Sequence, residues 1–333
     1  MRSLLSPSLS RGIYEVPALA RFREVHFERQ VDRESQRTKA VVQGLGFNLL
    51  TKEALALLQG HKKKTLFILG SGASVNKLTE KNFDAIKAGY SIGMNAWVSH
   101  GFVPDAYSFE ADSILAPPSL EIETMSAALA RRALSNPDTL LLLFRPKTPE
   151  LVHRMVKVPE SLRPQAFMYG RHNLLTQTNS ALRKDLGPLL VNRLRNFDTK
   201  PVLIDNGASV VRMIELGLFA GFTEIVLLGI DLNSSSYFWE ALDAPPEYHG
   251  MRGCYQRPQN VEHDTLETFD RPYSSLLFIE ELANAAHRYF HSRVYIGSEG
   301  SALSRTIQDY DWKITSATEE PITSKEEEHT CHS

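Results

Sequence analysis

The chain lacks several features that would each indicate a particular class of protein. Only two of its 333 residues are cysteines, Cys254 and Cys331, and neither has a neighbour at metal-ligand spacing, which excludes a disulfide scaffold. No apolar run approaches the roughly 18 residues of a membrane-spanning helix. The formal net charge of −2 gives no strong field to attract nucleic acid or anionic lipid. We therefore expect a cytoplasmic globular protein whose membrane association, at the inner face, is at most peripheral.

Short apolar runs alternate with helix-length segments through most of the sequence. Residues 65–69 are mostly apolar and end at Gly70, which is typical of a strand buried on both faces of a parallel sheet. Such alternation predicts right-handed crossovers and an α/β fold with a Rossmann-like, doubly wound, mostly parallel sheet. The other predicted strands are 90–94, 106–109, 139–144, 202–204, 224–228 and 293–296, and the main predicted helices are 119–134, 180–194, 208–220 and 274–290.

Composition divides the chain into three parts. Residues 1–61 are predicted to form an N-terminal helical extension, which includes an amphipathic helix over residues 48–58, and residues 62–315 the α/β domain. Residues 316–333 are polar, and we expect them to be disordered. Within the domain, prolines and glycines interrupt any periodicity over residues 233–272. A loop of this length in a folded domain is usually functional, so we interpret it as a lid.

The first predicted strand runs into a turn of small residues, Gly70-Ser71-Gly72-Ala73-Ser74. Small residues let a ligand approach the backbone, and the N-terminus of the following helix offers N–H groups to an anion. The turn therefore predicts a site for a nucleotide phosphate. A tight turn without a ligand is the alternative, because the third glycine of the dinucleotide fingerprint and a Walker lysine are both missing.

Polar residues also follow other predicted strands, at the ends where open α/β sheets bind ligands. Asn95 follows the second strand and Glu110 the third, and a turn residue and a helix cap are their respective alternatives. Asn206 and Gly207 open a helix after a further strand, and Asp231 closes the next one. A helix cap would explain Asn206, and a turn would explain Asp231, equally well.

Together these motifs resemble the bacterial sialyltransferases of glycosyltransferase family 42. A looser superfamily, with motility-associated nonulosonate transferases and archaeal pterin pyrophosphokinases, shares the same two turns. The resemblance spans residues 64–312 and implies the GT-A-like variant of the Rossmann fold found in the sialyltransferase family. It rests on the Gly-x-Gly-x-Ser turn, Met94-Asn95, Asn206-Gly207, Gly229-Ile230-Asp231, Ser235-Ser236-Tyr237 and the later His263.

The resemblance implies a CMP-sugar donor and a role for each matched residue. A sialic acid or related nonulosonate would pass to a hydroxyl of a glycan or glycolipid acceptor, with inversion and without a metal or cofactor. His263 would be the general base, and Tyr237 would donate its hydroxyl to the leaving CMP phosphate. Gly70, Gly72, Ser74, Asn95, Asn206 and Gly207 would bind the donor. The turn residues Ser71 and Ala73 and the strand-end residues Glu110 and Asp231 complete the donor site that we predict.

The chain departs from the family pattern at two positions. Leu232 and Asn233 stand where the family has a second tyrosine, and Ala73 takes the place of a proline. Another donor, such as CMP-Kdo, is therefore an alternative. His249 is the competing general base. The alternative phosphate donors, Tyr248 and Tyr255, lie in the same predicted lid.

Two other functions stay open from the sequence. A Mg²⁺-dependent pyrophosphokinase would need an acidic cluster, which Glu110, Asp112 and Asp231 could supply. A non-catalytic nucleotide-binding protein would keep the turns and dispense with the lid. Asp309 and Asp311 have the Asp-x-Asp spacing of metal-dependent glycosyltransferases, and we interpret them as a solvated segment. A homo-oligomer is left open, and nucleic acid is not an expected partner.

Overall fold

The computed structural model of the chain describes residues 17–59, 64–109, 120–144, 156–172, 174, 179–233, 236–240 and 274–312. In these residues, parallel strands alternate with helices as the sequence predicts. The strands are β1 (Asn48–Leu49), β2 (Thr65–Leu69), β3 (Tyr90–Met94), β4 (Ala106–Phe109), β5 (Leu140–Phe144), β6 (Ala166–His172), β7 (Val202–Ile204), β8 (Glu224–Leu228) and β9 (Arg293–Ile296). The α-helices are α1 (Pro17–Leu45), α2 (Lys52–Gln59), α3 (Glu80–Ala88), α4 (Leu120–Ser135), α5 (Asn179–Arg195), α6 (Ser209–Phe219) and α7 (Ser275–Phe290).

The described strands form one sheet in the order β1-β6-β5-β4-β3-β2-β8-β9, and every pairing is parallel. β7 pairs with the carboxyl half of β6, where Gly170 lies opposite Val202. The prediction of a doubly wound α/β sheet is confirmed.

Apolar side chains cover both faces of the sheet, which is why the strands are nearly continuous in hydrophobic residues. On one face, α2, α5, α6 and α7 pack around Leu66 and Ile68. On the other face, α3, α4 and the end of α1 pack around Phe67 and Leu69. Successive side chains of β2 therefore lie alternately in two hydrophobic cores, one on each face of the sheet.

The N-terminal segment packs into the domain. β1 pairs with β6. Leu50, Leu55 and Leu58 are buried in the core that also contains Leu66 and Ile68 of β2. The helix predicted over 48–58 begins only at Lys52, whose N–H donates to the carboxylate of Asp198 at 2.7 Å. The border that we placed at residue 61 thus separates segments that pack together.

One interior strand, β6, which lies next to the edge strand β1, has no counterpart among the predicted strands. Its carboxyl half contains Gly170, Arg171 and His172, which interrupt the apolar run that marks the other strands. None of the helices in the described ranges is long and apolar enough to cross a membrane.

Candidate functional site

The strand order reverses between β2 and β8. The chain proceeds from β2 through β3, β4, β5 and β6 on one side, and then returns to place β8 and β9 on the other. In open α/β sheets, such a switch point leaves a crevice at the carboxyl ends of the strands, where ligands bind. Residues 70–74 and 229–231, which we call the switch-point turns, both begin here, because Leu69 pairs with Leu228.

The switch-point turns pack directly against each other. The N–H of Gly70 donates to Leu228 O at 2.7 Å, and that of Gly72 to Gly229 O at 2.9 Å. A Cβ on Gly72 would lie 2.5 Å from Asp231 Oδ2. Gly229 has a φ of +64°, and a Cβ there would lie 2.4 Å from Gly70 O. Glycine is therefore required for the close approach of the two turns.

Four of the five backbone N–H groups of the first turn, those of Gly70, Gly72, Ala73 and Ser74, donate within the chain. The N–H of Ala73 donates to Ser236 O at 3.1 Å, and that of Ser74 to Asp231 Oδ2 at 3.1 Å. A short 3-10 helix, Ala73–Lys77, follows the turn. The expectation that these N–H groups face an anion thus differs from the structure, in which they hold the crevice floor together.

Asp231 fastens the two turns together. Its buried carboxylate accepts hydrogen bonds from the hydroxyl and the N–H of Ser74. Its carbonyl accepts from the N–H of Ala302 at 2.9 Å, and the hydroxyl of Ser301 donates to Ile230 O at 2.6 Å. These contacts favour the interpretation of Asp231 as a turn residue that also anchors the segment after β9.

Residues 236–240 return to the first switch-point turn. Gly72 and Tyr237 form an isolated antiparallel bridge, and the N–H of Phe238 donates to Ser71 O at 3.0 Å. The N–H of Tyr237 donates to Glu240 Oε2 at 2.8 Å. Tyr237 is half-buried. The structure thus brings Tyr237 together with residues 70–74 and Asp231.

Asn95 lies at the end of β3, the strand beside β2. Its φ of +48° places it in the left-handed region, which residues other than glycine rarely adopt. It begins the 3-10 helix Asn95–Ser99, in which Trp97 is fully buried. Asn95 itself is partly exposed, so it lies at the carboxyl edge of the sheet on the strand next to the crevice.

Asn206 and Gly207 follow β7. This strand pairs with β6 on the side opposite β5. Asn206 is buried, and the residue that caps α6 is Ala208, so the alternative that Asn206 is a helix cap is wrong. α6 crosses back to β2, where a Cβ on Gly217 would lie 2.6 Å from Leu66 Cδ2. Because α6 runs antiparallel to the strands, its first turn points toward the carboxyl edge.

A buried ion cluster holds the segment 205–207, which we call the β7 turn. The Asp205 carboxylate lies 2.9 Å from Arg171 Nη1 and 2.8 Å from Arg212 Nη1, and it accepts the Gly207 N–H at 3.1 Å. Burial alone would raise the pKa of Asp205, but Arg212 and Arg171 outweigh it and lower that pKa. The carbonyl of Asn206 accepts from the Ser275 hydroxyl at 3.2 Å, which ties the turn to α7.

This cluster has no counterpart among the sites that the sequence predicts. Arg171 comes from β6 and Arg212 from α6, so no local motif joins them to Asp205. The only local indication is an acidic residue directly after an apolar strand, where an ionised carboxylate needs partners if it is buried.

Several predicted residues lie outside the described residues. These are Glu110, Asp112, Tyr248, His249, Tyr255 and His263.

Asp309 lies opposite Ile296 in a parallel bridge, and Ser304 donates to its carboxylate at 2.9 Å. The Asp-x-Asp segment thus extends the sheet edge beside β9. Within the described ranges, no group of three or more His, Cys, Asp or Glu side chains could hold a metal ion.

Comparison with known proteins gives matches only among solved structures. No family model matches the chain, and no curated protein matches it significantly in sequence. The monofunctional α-2,3-sialyltransferase Cst-I of Campylobacter jejuni is similar with a TM-score of 0.41 and 15% identity, over 75% of this chain and 82% of that chain. CstII from the same organism, in complex with the substrate analogue CMP-3FNeuAc, gives a TM-score of 0.40 and 16% identity, over 74% and 86%. Similarity at this level assigns neither activity nor site residues to the present chain.

Proposed function

We propose that the chain is a glycosyltransferase that moves a sialic acid or related nonulosonate from a CMP-sugar to an acceptor hydroxyl. The observation that carries the proposal is the bridge between Gly72 and Tyr237 at the switch point of the sheet. It joins two of the motifs on which the family resemblance rests, although 165 positions separate Gly72 and Tyr237 in the sequence. The resemblance assigns the tyrosine to the leaving phosphate, and the switch point is where such a ligand would bind.

In the proposed reaction, the acceptor oxygen bonds to the anomeric carbon as the bond from that carbon to the phosphate oxygen breaks. CMP leaves with the electron pair, and the acceptor proton passes to His263. An imidazole titrates near neutral pH and can contribute about 10²- to 10⁴-fold as a general base. Attack from the face opposite CMP inverts the configuration.

In this proposal, Tyr237 contributes more of the hydrogen bonding to the phosphate than the sequence suggested. The N–H groups of Gly70, Gly72, Ala73 and Ser74 are bonded within the chain, so the turn supplies a rigid floor. A phenol hydroxyl can donate to the departing phosphate as charge develops there, and one preorganised donor of this kind is worth about 10²- to 10³-fold in rate.

The test is the release of CMP from a CMP-sugar by Tyr237→Phe, with Tyr289→Phe as the matched control. Tyr289 lies on α7 and is 45% exposed, so its hydroxyl can be removed without touching the crevice. We expect kcat to fall about 100-fold or more for Tyr237→Phe and to stay within twofold for Tyr289→Phe. Full activity of Tyr237→Phe would remove the basis of the proposal.

Two further assays separate the alternatives. Loss of turnover with EDTA and its recovery with Mg²⁺ and ATP would favour the pyrophosphokinase, whereas the proposed transferase keeps its activity in EDTA. His263→Ala should lose activity that His249→Ala retains, and the reverse result would make His249 the base.

A further inference from the structure

A continuous series of ring contacts leads from Tyr237 into the core. The rings of Tyr237 and Trp239 are stacked, with centroids 4.5 Å apart and planes at 6°. Trp239 contacts Phe238 edge to face at 4.8 Å, and Phe238 contacts His100 in the same way at 5.2 Å. His100 in turn stacks on Trp97 at 4.3 Å. The half-buried tyrosine is therefore the outermost ring of a buried aromatic series.

The inner members of the series are fixed in place. Trp97, Phe238 and Trp239 are each at most 1% exposed. A Cβ on Gly93 would lie 2.5 Å from Trp97 Cδ1, so the indole packs on the end of β3. The carbonyl of Phe238 accepts from the Asn76 side chain at 3.0 Å. Trp239 therefore presents a rigid surface to Tyr237.

The series also stays uncharged at neutral pH. Burial, followed by the nearby Arg132 guanidinium, lowers the pKa of His100 to about 4. The Nδ1 atom of His100 accepts the N–H of Phe102 at 3.0 Å, as a neutral imidazole can.

From this geometry we propose that Trp239 is a positioning residue that holds the Tyr237 ring, and so its hydroxyl, over the switch-point turn. The inference rests on the proposed function, because the hydroxyl has a task only if a phosphate binds there. The backbone of Tyr237 is fixed by Gly72 and Glu240, which leaves two side-chain torsions. A parallel indole at stacking distance restricts both of them, and a misplacement of about 1 Å in a catalytic group can cost about 100-fold in rate.

The kinetic test compares Trp239→Leu with Trp239→Phe, which keeps an aromatic face. We expect kcat for CMP release to fall at least tenfold in Trp239→Leu with the donor KM within about twofold, and to recover largely in Trp239→Phe. In a Tyr237→Phe background, Trp239→Leu should cause no further loss, because the hydroxyl that it positions is already absent. Losses that multiply, or an unchanged kcat in Trp239→Leu, would overturn the inference.

The control is Trp312→Leu, because Trp312 also stacks on an aromatic ring, that of Phe67 at 5.9 Å, and is not part of the series. It should leave kcat within about twofold. A drop equal to that of Trp239→Leu would show a general effect of removing a stacked indole and would overturn the inference.

A spectroscopic test separates this inference from the proposed function. In fluorotyrosine-labelled protein, the ¹⁹F signal that Tyr237→Phe removes belongs to Tyr237, and the stacked indole should shift it upfield. We expect the signal to move toward the free-tyrosine position in Trp239→Leu, or in Trp239→Met if the first variant does not fold, because neither side chain has a ring to stack on Tyr237. An unmoved signal overturns the positioning role. A wild-type chain that releases no CMP, with the signal still moving, overturns the proposed function alone.

Discussion

The switch-point turns and the β7 turn hold the same edge of the sheet by different physical means. The switch-point turns rely on glycine and backbone hydrogen bonds, with the carbonyl of Gly229 accepting from Gly72. The β7 turn relies on charge, with Asp205 between two guanidinium groups. Close packing tolerates no added atom, whereas the ion cluster tolerates no lost charge. The two regions should therefore fail under different substitutions and at different pH.

The largest effect is expected from an added methyl group between the switch-point turns. Gly229→Ala forces a left-handed alanine and places its Cβ 2.4 Å from Gly70 O. The conformation costs about 1–2 kcal/mol and overpacking about 1–3 kcal/mol more, so we expect a loss of about 3 kcal/mol or more in the free energy of unfolding. Gly300→Ala is the matched control, since Gly300 has a φ of +84° and nothing within 4 Å of the added Cβ. Equal losses in urea titrations would show that crowding is not what holds the turns.

An effect of comparable size is expected from removing the carboxylate charge in the β7 turn. Asp205→Asn keeps an acceptor for the Gly207 N–H but leaves Arg212, which is 2% exposed, without its ionised partner. Breaking a buried ion pair from one side costs about 3–5 kcal/mol. The control Asp84→Asn removes an exposed partner of Lys87 and should change stability by less than about 1 kcal/mol. Similar values for the two variants would contradict the charge-based account.

The pH dependence sharpens the same comparison. Because the folded chain lowers the pKa of Asp205, its stabilisation is fully present above the unfolded pKa of about 3.9 and is lost as pH falls through the folded pKa. The stability difference between wild type and Asp205→Asn should thus be constant from pH 7 to 5 and shrink below about pH 4. The difference between wild type and Gly229→Ala should stay flat. A difference for Asp205→Asn that grows on acidification would contradict the assigned direction.

The smallest effect is expected from removing the hydrogen bond between the side chains of Ser74 and Asp231, which joins the two switch-point turns. Ser74→Ala removes the hydroxyl that donates to the buried Asp231 carboxylate, for which we expect a loss of about 1–3 kcal/mol. Ser304→Ala removes an equivalent bond to the exposed Asp309 and should cost at most about 0.5 kcal/mol. Thermal unfolding of the two variants tests whether the Asp231 carboxylate holds the two switch-point turns together.

The fold and the first turn could be read from the sequence because their causes are local. The continuous apolar runs at β2 and β8 require burial on both faces, and a glycine ends each of them. β6 could not be identified in this way, since Arg171 within it pairs with Asp205 only once the sheet has formed. The place of Tyr237 depended on the family resemblance, and its contact with Trp239 depends on a turn that no periodicity encodes.

The most direct test of the account is nucleotide-dependent thermal stabilisation of the wild-type chain and of Tyr237→Phe. A ligand that binds only the folded state raises the unfolding temperature according to its affinity. We predict that CMP stabilises the wild type more than CDP, UDP or ATP at equal concentration, and that Tyr237→Phe loses most of that shift. No shift with CMP, or the same CMP shift in both proteins, would contradict a cytidine monophosphate site beside Tyr237.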